Sequence, residues 1–583
     1  MTAAHKDSPT LRWARAKVIE VFGADLRSLA TFRIVLALLV LADLINRATD
    51  LSAHYSDEGV LPRTALLEEV LNPWRFSLNL MNGYPLFQAL LFGVAALAAL
   101  GLLVGYRTRL MTVIVWVLLL SIQWRNPLVI SSGDILLHLL LFWGMFLPLG
   151  ACWSVDRTLK AAPPRLSMRF LSLATFALFM QIAFVYWFAA MLKSGPEWRV
   201  DGTALYYALS IDRFATPIGV YLLHFPELLK VLTFATILLE AFGPFLLFCP
   251  FFTAQVRTLA VLAFMGLHFG IWLTMDIGIF QWVSAFCMVC FLPTWFWDKV
   301  VAKLRAAFPK RPSNIARRLQ HAALRLVHDR LSPLRARLSP VAGAGQPSVA
   351  GLAAQDSQLG NHAARMVVPS APTAETPRQQ GETRSDDEAT AEQETRHGAA
   401  SGSEPTMLRS SLATNLLALF FLLYVFCWNL TTVSEFSMPD RVRSPGFFLG
   451  LDQSWAMFAP YPSKSGGWYV IPGTLRSGQQ VDLLPVTRDD FRPHEVSWEK
   501  PQYVVRIYKN QHWRKYFSNI LKEEYADQRL HFGRYICREW NARHAGAEQL
   551  TTFQITYMLE ETLPDYRRQA TPQKVVLWEH NCF

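Results

Sequence analysis

A lysine stands at the end of a long apolar run, in the segment YWFAAMLKSGPEW that covers residues 186–198. Lys193 is the first charged residue after the apolar run 171–192. Its amine could anchor the end of a membrane helix, since lysine side chains often extend their ammonium group to the water interface. It could also act as a base, because apolar surroundings favour the neutral amine. The residues themselves leave both interpretations open.

Other ionisable residues lie within apolar runs. Asp134 and His138 are four apart and so share one face of a helix, Glu240 lies in TILLEAFGPF, and His268 lies in FMGLHFGIWL. An ionisable group inside a membrane costs at least a few kcal/mol, so each is a candidate functional residue. The alternative is a hydrogen-bonded polar network that holds the helices together. The spacing of His and carboxylate residues matches no metal motif, and we predict no metal site.

The elements that must position these residues are membrane helices. Of the 583 residues, 52% are hydrophobic and only 17% are charged, against about 25% charged in soluble domains. Apolar runs that can cross about 30 Å of hydrocarbon as helices recur along the chain. The nine predicted spans are 29–46, 85–105, 109–125, 134–151, 171–192, 227–249, 257–275, 277–297 and 411–431. The first begins too late for a cleavable signal peptide.

The net charge of +11 is distributed between the spans rather than in one patch. Basic residues recur in the N-terminal arm, in every second loop, and after Trp297. Because basic loops remain in the cytoplasm, this pattern predicts a cytoplasmic N-terminus and an extracytoplasmic C-terminus. The setting we expect is a bacterial inner membrane. A nucleic-acid partner is not expected.

The domain organisation follows from changes in composition. We predict an all-α polytopic membrane bundle of about nine helices with a small extracytoplasmic α+β domain at the C-terminus. The parts are a cytoplasmic arm (1–28), the membrane bundle (29–297), a basic juxtamembrane segment (298–340), a disordered linker (341–409), the last membrane helix (410–431) and the α+β domain (432–583).

Within the α+β domain, a hairpin is predicted in GGWYVIPGTLRSGQQVDLLP, and strands in QYVVRIYK, TTFQITYML and QKVVLWEH. Helices are predicted in HWRKYFSNIL and HFGRYICREWNARH. Cys537 and Cys582 would both lie outside the cytoplasm, where a disulfide between them can form.

Four motifs carry a resemblance to a known family, over roughly residues 20–300. The sequence resembles the vitamin K-dependent gamma-glutamyl carboxylases and their bacterial relatives, the horizontally transferred transmembrane domain (HTTM) proteins. The motifs are QWRNPLVISSGD (Gln123–Asp134), WSVDR (Trp153–Arg157), QIAFVYWFAAMLKSGPEWRVDGTAL (181–205) and LHFGIWLTMDIGIFQW (267–282). The C-terminal segments DQSWAMFAPYP and WYVIPG are similar to those of bacterial members.

The resemblance implies a reaction and roles for the candidate residues. In the family enzyme, a lysine five residues before a tryptophan deprotonates the reduced vitamin K, and these positions match Lys193 and Trp198. With oxygen, the quinol then yields a strong base that removes a γ-proton from a glutamyl side chain, to which carbon dioxide adds. Lys193, His268 and Asn126 are the implied catalytic residues. The candidate residues for binding the reduced vitamin K or menaquinol are Trp198, Tyr186, Asp134, His138 and Glu240.

One departure from the family pattern keeps a second function open. The family enzyme has a histidine directly after the asparagine that matches Asn126, and here that position is Pro127, which cannot exchange a side-chain proton. The first hypothesis is a quinol-dependent carboxylase that acts on a Glu-bearing exported polypeptide. The second is a non-enzymatic module that binds membrane lipid or quinone and recruits a partner through its outer domain. A transporter is the weakest interpretation, since no inverted repeat is evident.

Overall fold

The computed structural model describes residues 8–70, 72–160, 167–307, 407–564, 567 and 571–583. The predicted disordered linker, apart from residues 407–409, and the basic segment beyond residue 307 lie outside this part of the chain.

Apolar sequence forms most of the helices, and the alternating sequence near the C-terminus forms most of the strands. In chain order the α-helices are α1 (Pro9–Phe22), α2 (Leu26–Ala48), α3 (Leu51–Tyr55), α4 (Arg63–Ala65), α5 (Pro85–Val104), α6 (Thr108–Arg125), α7 (Ser132–Gly144), α8 (Val155–Thr158), α9 (Leu173–Leu192), α10 (Pro196–Arg199), α11 (Ala204–Leu209), α12 (Pro217–Leu222), α13 (Pro226–Leu247), α14 (Thr253–Thr274), α15 (Phe280–Cys287), α16 (Thr294–Ala307), α17 (Leu412–Val433), α18 (Asp440–Leu449), α19 (Gln511–Ile520) and α20 (Gln528–Asn541). The strands are β1 (Ala24–Asp25), β2 (Arg169–Phe170), β3 (Ser465–Val470), β4 (Pro472–Leu475), β5 (Gln480–Asp482), β6 (Leu550–Glu561) and β7 (Gln573–Asn581).

Seven helices of the described residues are long and apolar enough to cross a membrane: α2, α5, α6, α9, α13, α14 and α17. The other two predicted spans are shorter. Helix α7 has 13 residues, which at about 1.5 Å per residue reach only part of the way across about 30 Å. The segment Phe280–Phe291 is followed by α16 after a bend of 94°, and it adds an eighth span only if this bent pair counts as one. The chain is thus a multi-pass membrane protein, and its described residues contain seven such helices, or eight with the bent pair, so that the predicted count of nine is not confirmed.

The ends of the long helices meet at two opposite faces of the bundle. At one face, β1 pairs with β2 and so joins the beginnings of α2 and α9. Arg257 of α14 donates to the carbonyls of Val21 and Leu247 at the same face. At the other face, the residues after α2 and α14 bind the C-terminal domain through the ion pairs Lys509–Asp50 at 2.7 Å and Arg514–Asp276 at 3.0 Å.

The C-terminal domain is built around a five-stranded antiparallel sheet. Strand β6 pairs with β3 and β4 along one edge and with β7 along the other, and β4 continues through a turn into β5. Gly478 in that turn has a φ of +87°, which favours glycine. Helices α19 and α20 pack on the sheet, and Cys537 of α20 forms a disulfide with Cys582 after β7.

The strands predicted in TTFQITYML and QKVVLWEH and both helices of this domain are confirmed. The strand predicted in QYVVRIYK is wrong, since Val504–Ile507 form a 3₁₀ turn. Its two buried residues, Val504 and Tyr508, are four apart, a spacing that suits a helical turn.

The core of the C-terminal domain includes residues from the loops of the bundle. Leu61 and Leu66, which precede α5, and Leu128 and Val129, which follow α6, are buried in the same hydrophobic cluster as Trp513 and Phe553. The bundle has its own larger core. The sheet domain is therefore packed directly onto the membrane bundle.

Candidate functional site

A cavity of about 1140 Å³ lies between helices α9, α13 and α14 and the C-terminal domain. Five of the residues predicted from the sequence line it: Tyr186, Lys193, Trp198, Glu240 and His268. They come from the membrane helices α9, α13 and α14, from the residue that ends α9, and from the short helix α10, yet their side chains converge on one space. Most of the remaining wall is apolar.

Lys193 is the residue that ends α9, where its backbone N–H still donates to the carbonyl of Ala189. Its side chain is buried rather than extended to a surface, and the residue is only 3% exposed. The Nζ atom lies 2.5 Å from Oε2 of Glu240 and 5.1 Å from the centre of the Trp198 ring. The position therefore differs from that of an interfacial anchor, because the amine faces the cavity and is paired there.

The loop after Lys193 is fixed by hydrogen bonds at both sides. Arg199 Nε donates to the Lys193 carbonyl at 2.9 Å. The indole of Trp198 donates to the Phe458 carbonyl at 2.9 Å, and the Gly195 N–H donates to the Pro460 carbonyl at 3.0 Å. These bonds hold the loop against the segment that leads into the C-terminal domain, so that segment helps to position the amine.

Glu240 lies in the middle of α13, four residues before Pro244. Proline has no N–H, so the carbonyl of residue 240 lacks its usual helical donor. The carboxylate is mostly buried and binds Lys193, which balances the charge of both groups.

His268 of α14 and Tyr186 of α9 form a second polar pair on the cavity wall. The tyrosine hydroxyl lies 2.8 Å from His268 Nε2. Nδ1 of the same ring is buried and has no hydrogen-bond partner among the described residues. Because a buried polar atom without a partner is costly, this nitrogen is suited to a hydroxyl or carbonyl of a bound molecule.

Asn126 is not among the residues that line the cavity. Its amide nitrogen donates to the carbonyl of His54 at 3.0 Å, and its amide oxygen accepts from the N–H of Leu128 at 3.2 Å. It therefore caps the 3₁₀ turn Pro127–Val129. Its side chain is therefore already engaged in holding this turn.

Asp134 and His138 also lie outside the cavity lining. Asp134 binds Arg47 and accepts from the N–H and hydroxyl of Ser131 at the start of α7. His138 bonds to Gln123 of α6 at 2.7 Å and to the carbonyl of Gly450 at 2.6 Å. These contacts are those of the polar network that the sequence offered as the alternative interpretation.

The sequence analysis missed a cluster of charged residues next to this network. Asp43, Asp134 and His512 each place one ligand atom within 4.8 Å of the others. Arg47 already binds both carboxylates, with 2.7 Å from its Nε to Asp43. We therefore interpret the cluster as an ion-pair network that joins α2, α7 and α19. Asp43 and Arg47 are four apart in the first span, and this spacing was the available signal.

The sequence analysis also missed the cationic end of the cavity. Arg213 follows α11, and Arg514, Lys515 and Lys522 belong to α19 or follow it. No local pattern marks them, since they are brought to the cavity by packing between parts of the chain that are about 300 residues apart.

Comparison with known proteins finds a family match for the first part of the membrane bundle. Residues 23–295 match the family model described as HTTM domain. No curated protein and no solved structure matches the chain.

Proposed function

We propose, on the premise that residues 23–295 match the HTTM domain family model, that the protein is a quinol-dependent carboxylase of glutamyl side chains. Its substrate would be an exported polypeptide that reaches the cavity from the side of the C-terminal domain, in a bacterial inner membrane. The observation that carries the proposal is the buried Lys193–Glu240 pair on the wall of a large, mainly apolar cavity.

The residues present fit a reduced quinone. Val185 and Ala189 of α9 and Phe280 of α15 offer apolar walls to a flat ring, and His268 Nδ1 offers an unpaired hydrogen-bonding atom to a ring hydroxyl. A reduced quinone bound here would supply, with oxygen, the strong base that removes a γ-proton from a glutamyl side chain so that carbon dioxide adds.

The chain's own part in this reaction is to accept and hold a proton. Lys193 can act as a base only as a neutral amine, so its ammonium group must first lose a proton. The Glu240 carboxylate at 2.5 Å is the acceptor that the geometry offers. Transfer between these two groups leaves the buried site with the same net charge, which avoids the cost of an isolated buried ion. The nearby face of Trp198 stabilises the cationic form when the amine takes up the next proton.

A specific observation favours the second function, a non-enzymatic module that binds lipid or quinone and recruits a partner through the C-terminal domain. Pro127 stands where the family enzyme has a histidine, and the Asn126 amide is engaged in capping a turn. The histidine that the family pattern places after this asparagine is therefore missing. Among the described residues that line the cavity, the histidine present is His268.

The decisive experiment measures incorporation of labelled carbon dioxide into a glutamate-rich peptide by purified protein with reduced vitamin K. We expect label in the wild type that depends on the quinol, and a loss of about 100-fold or more in Lys193→Ala. Lys574→Ala is the matched control, because Lys574 lies on strand β7 beside Trp498, and it should keep full activity.

Absence of both label and quinone epoxide in the wild type would contradict the carboxylase proposal for the peptides tested. Binding of reduced vitamin K without turnover would then support the second function. Equal activity of Lys193→Ala and wild type would show that the carboxylation does not use this lysine.

A further inference from the structure

The end of the cavity next to the C-terminal domain is strongly cationic. Its wall carries Arg213, Arg514, Lys515 and Lys522. The only acidic residue among those lining the cavity is Glu240, and it is already bound to Lys193. The cationic end therefore has a surplus of positive charge that no lining residue balances.

Two of these four cations have partners outside the cavity wall. Arg514 is paired with Asp276 at 3.0 Å. Burial raises the pKa of Asp276, but the hydrogen bond and positive charge of Arg514 outweigh it and hold this pKa below its ordinary value. Lys522 is paired with the exposed Glu524 at 3.1 Å. Their charges are partly compensated.

Lys515 and Arg213 differ from that pair. The ammonium group of Lys515 forms no side-chain hydrogen bond in the part of the chain that the structure describes. The guanidinium of Arg213 bonds to the hydroxyl of Tyr557, but its buried Nε has no hydrogen-bond partner there. Burial lowers the pKa of Lys515, and the positive charges of Lys522 and Arg213 lower it further. An anion bound at this point would relieve this repulsion and satisfy the unpaired donors.

The other wall of the cavity is apolar and belongs to membrane helices. Leu232 and Leu239 of α13 face the cavity together with Gly266 and Gly270 of α14. The two glycines are four apart on one face of α14, and a Cβ added at either would meet no atom within 4 Å. This leaves an open apolar groove along that face of the helix.

The size of the cavity allows more than one occupant. Its volume of about 1140 Å³ exceeds the range of about 300–1,000 Å³ that is usual for a pocket with a single small ligand. The quinone proposed above would lie near Lys193 and His268, which leaves the cationic end free.

We propose that this cavity binds an anionic membrane lipid from the leaflet on the side of the C-terminal domain. The headgroup phosphate lies at Lys515 and Arg213, and the acyl chain lies in the groove at Gly266 and Gly270. The cationic end alone would also suit a soluble phosphate or an acidic peptide. The open apolar groove that continues from it within the membrane helices favours a lipid, because only a lipid fills both parts. The inference does not depend on carboxylase activity.

The test is native mass spectrometry of the full-length protein in detergent with added phosphatidylglycerol or phosphatidylcholine of the same acyl chains. We expect the wild type to bind phosphatidylglycerol about tenfold more tightly than phosphatidylcholine. Lys515→Gln should lose about tenfold in affinity for phosphatidylglycerol and little for phosphatidylcholine. Gly270→Leu should weaken both lipids, since it fills the groove, and Lys574→Gln should change neither.

Two competition arms separate the possible sources of the anion. Glycerol 3-phosphate and a polyglutamate peptide are added to the phosphatidylglycerol complex. Retention of the lipid supports the proposal. Displacement by either competitor at low concentration overturns it in favour of a soluble phosphate or an acidic peptide. Equal affinity of the wild type and Lys515→Gln for phosphatidylglycerol overturns it as well.

Discussion

At the scale of single residues, the Lys193–Glu240 pair is the central feature of the cavity. The two groups come from different helices, and both are mostly buried beside apolar walls. A single charge in this place would be costly, whereas a close pair with good geometry is tolerated. The pair therefore explains how a membrane bundle keeps an amine at an inner surface, where it can meet an apolar ligand.

This pairing predicts that the two residues are energetically coupled. Glu240→Gln should lower the free energy of unfolding by about 3 kcal/mol, because it leaves the buried Lys193 ammonium without its counter-ion. Lys193→Met should be destabilising for the converse reason. The double variant should lose about 2 kcal/mol less than the sum of the two single changes. Unfolding of the four proteins in mixed detergent micelles measures the coupling, and additive losses would contradict the pairing.

The sequence identified the residues of this site better than their arrangement. Glu240 and His268 could be found because ionisable residues are rare inside apolar runs. Their partners could not be found, since the pairing of Glu240 with Lys193 joins positions 47 residues apart on different helices. Asn126 was assigned a catalytic role by its motif alone. In the structure, the Asn126 amide is hydrogen-bonded to His54 and Leu128 and caps a turn. No spacing in the sequence indicated this role.

At the scale of elements, long apolar helices and strongly patterned strands were predictable, and short or bent elements were not. The prediction of spans by length extended α7 and the segment around α15 to full spans, but the first has 13 residues and the second bends by 94° into α16. An apolar composition indicates that a segment is buried. It does not distinguish a helix that crosses the whole membrane from a short helix that is buried among other helices. In the C-terminal domain, β6 and β7 have the period of strands over 12 and 9 residues, and both form.

One covalent link joins two elements of the C-terminal domain. The disulfide between Cys537 and Cys582 connects α20 to the residues after β7 across a separation of 45 residues. A crosslink of that span should stabilise the domain by about 4 kcal/mol by restricting the unfolded chain. We expect the variant with Cys537→Ser and Cys582→Ser to unfold at clearly lower denaturant concentration than the wild type.

The matched control for this change is Cys427→Ser, since Cys427 is a free cysteine of α17. Hydrogen exchange of the amides of β6 is the measurement, because this strand is the centre of the sheet. Equal protection of β6 in the wild type and the variant without the disulfide would contradict the expected stabilisation.

At the scale of the whole molecule, the C-terminal domain and the bundle share a junction rather than a flexible tether. Residues of the loops after α3 and α6 are buried in the core of the sheet domain. Asn519 donates to the Leu128 carbonyl at 2.7 Å, and Gln181 in the middle of α9 donates to Gln453 at 2.8 Å. The cavity has walls from both parts, so the junction also determines its shape.

The junction predicts a dependence of stability on pH through His54. This histidine is buried between the bundle and α19, with its ring 4.5 Å from Trp513, and neither ring nitrogen has a hydrogen-bond partner among the described residues. Burial lowers the pKa of His54 from 6.5 to about 4. Between these values the unfolded chain binds a proton that the folded chain does not, so the free energy of unfolding should fall as the pH drops from 6.5 towards 4. At pH 4, this difference in proton binding by His54 lowers the free energy of unfolding by about 3 kcal/mol relative to neutral pH.

His54→Phe should remove this contribution, because a phenyl ring can keep the contact with Trp513 and cannot take up a proton. Thermal unfolding between pH 7.5 and 4.5 would then show a shallower loss of stability in the variant than in the wild type. Part of the slope should remain, since burial also lowers the pKa of His512 at the same junction. The exposed His224, changed to Gln, is the control and should leave the wild-type slope unchanged. If the stability of His54→Phe and of the wild type fell equally between pH 7.5 and 4.5, the acid-induced loss of stability would not arise from protonation of His54.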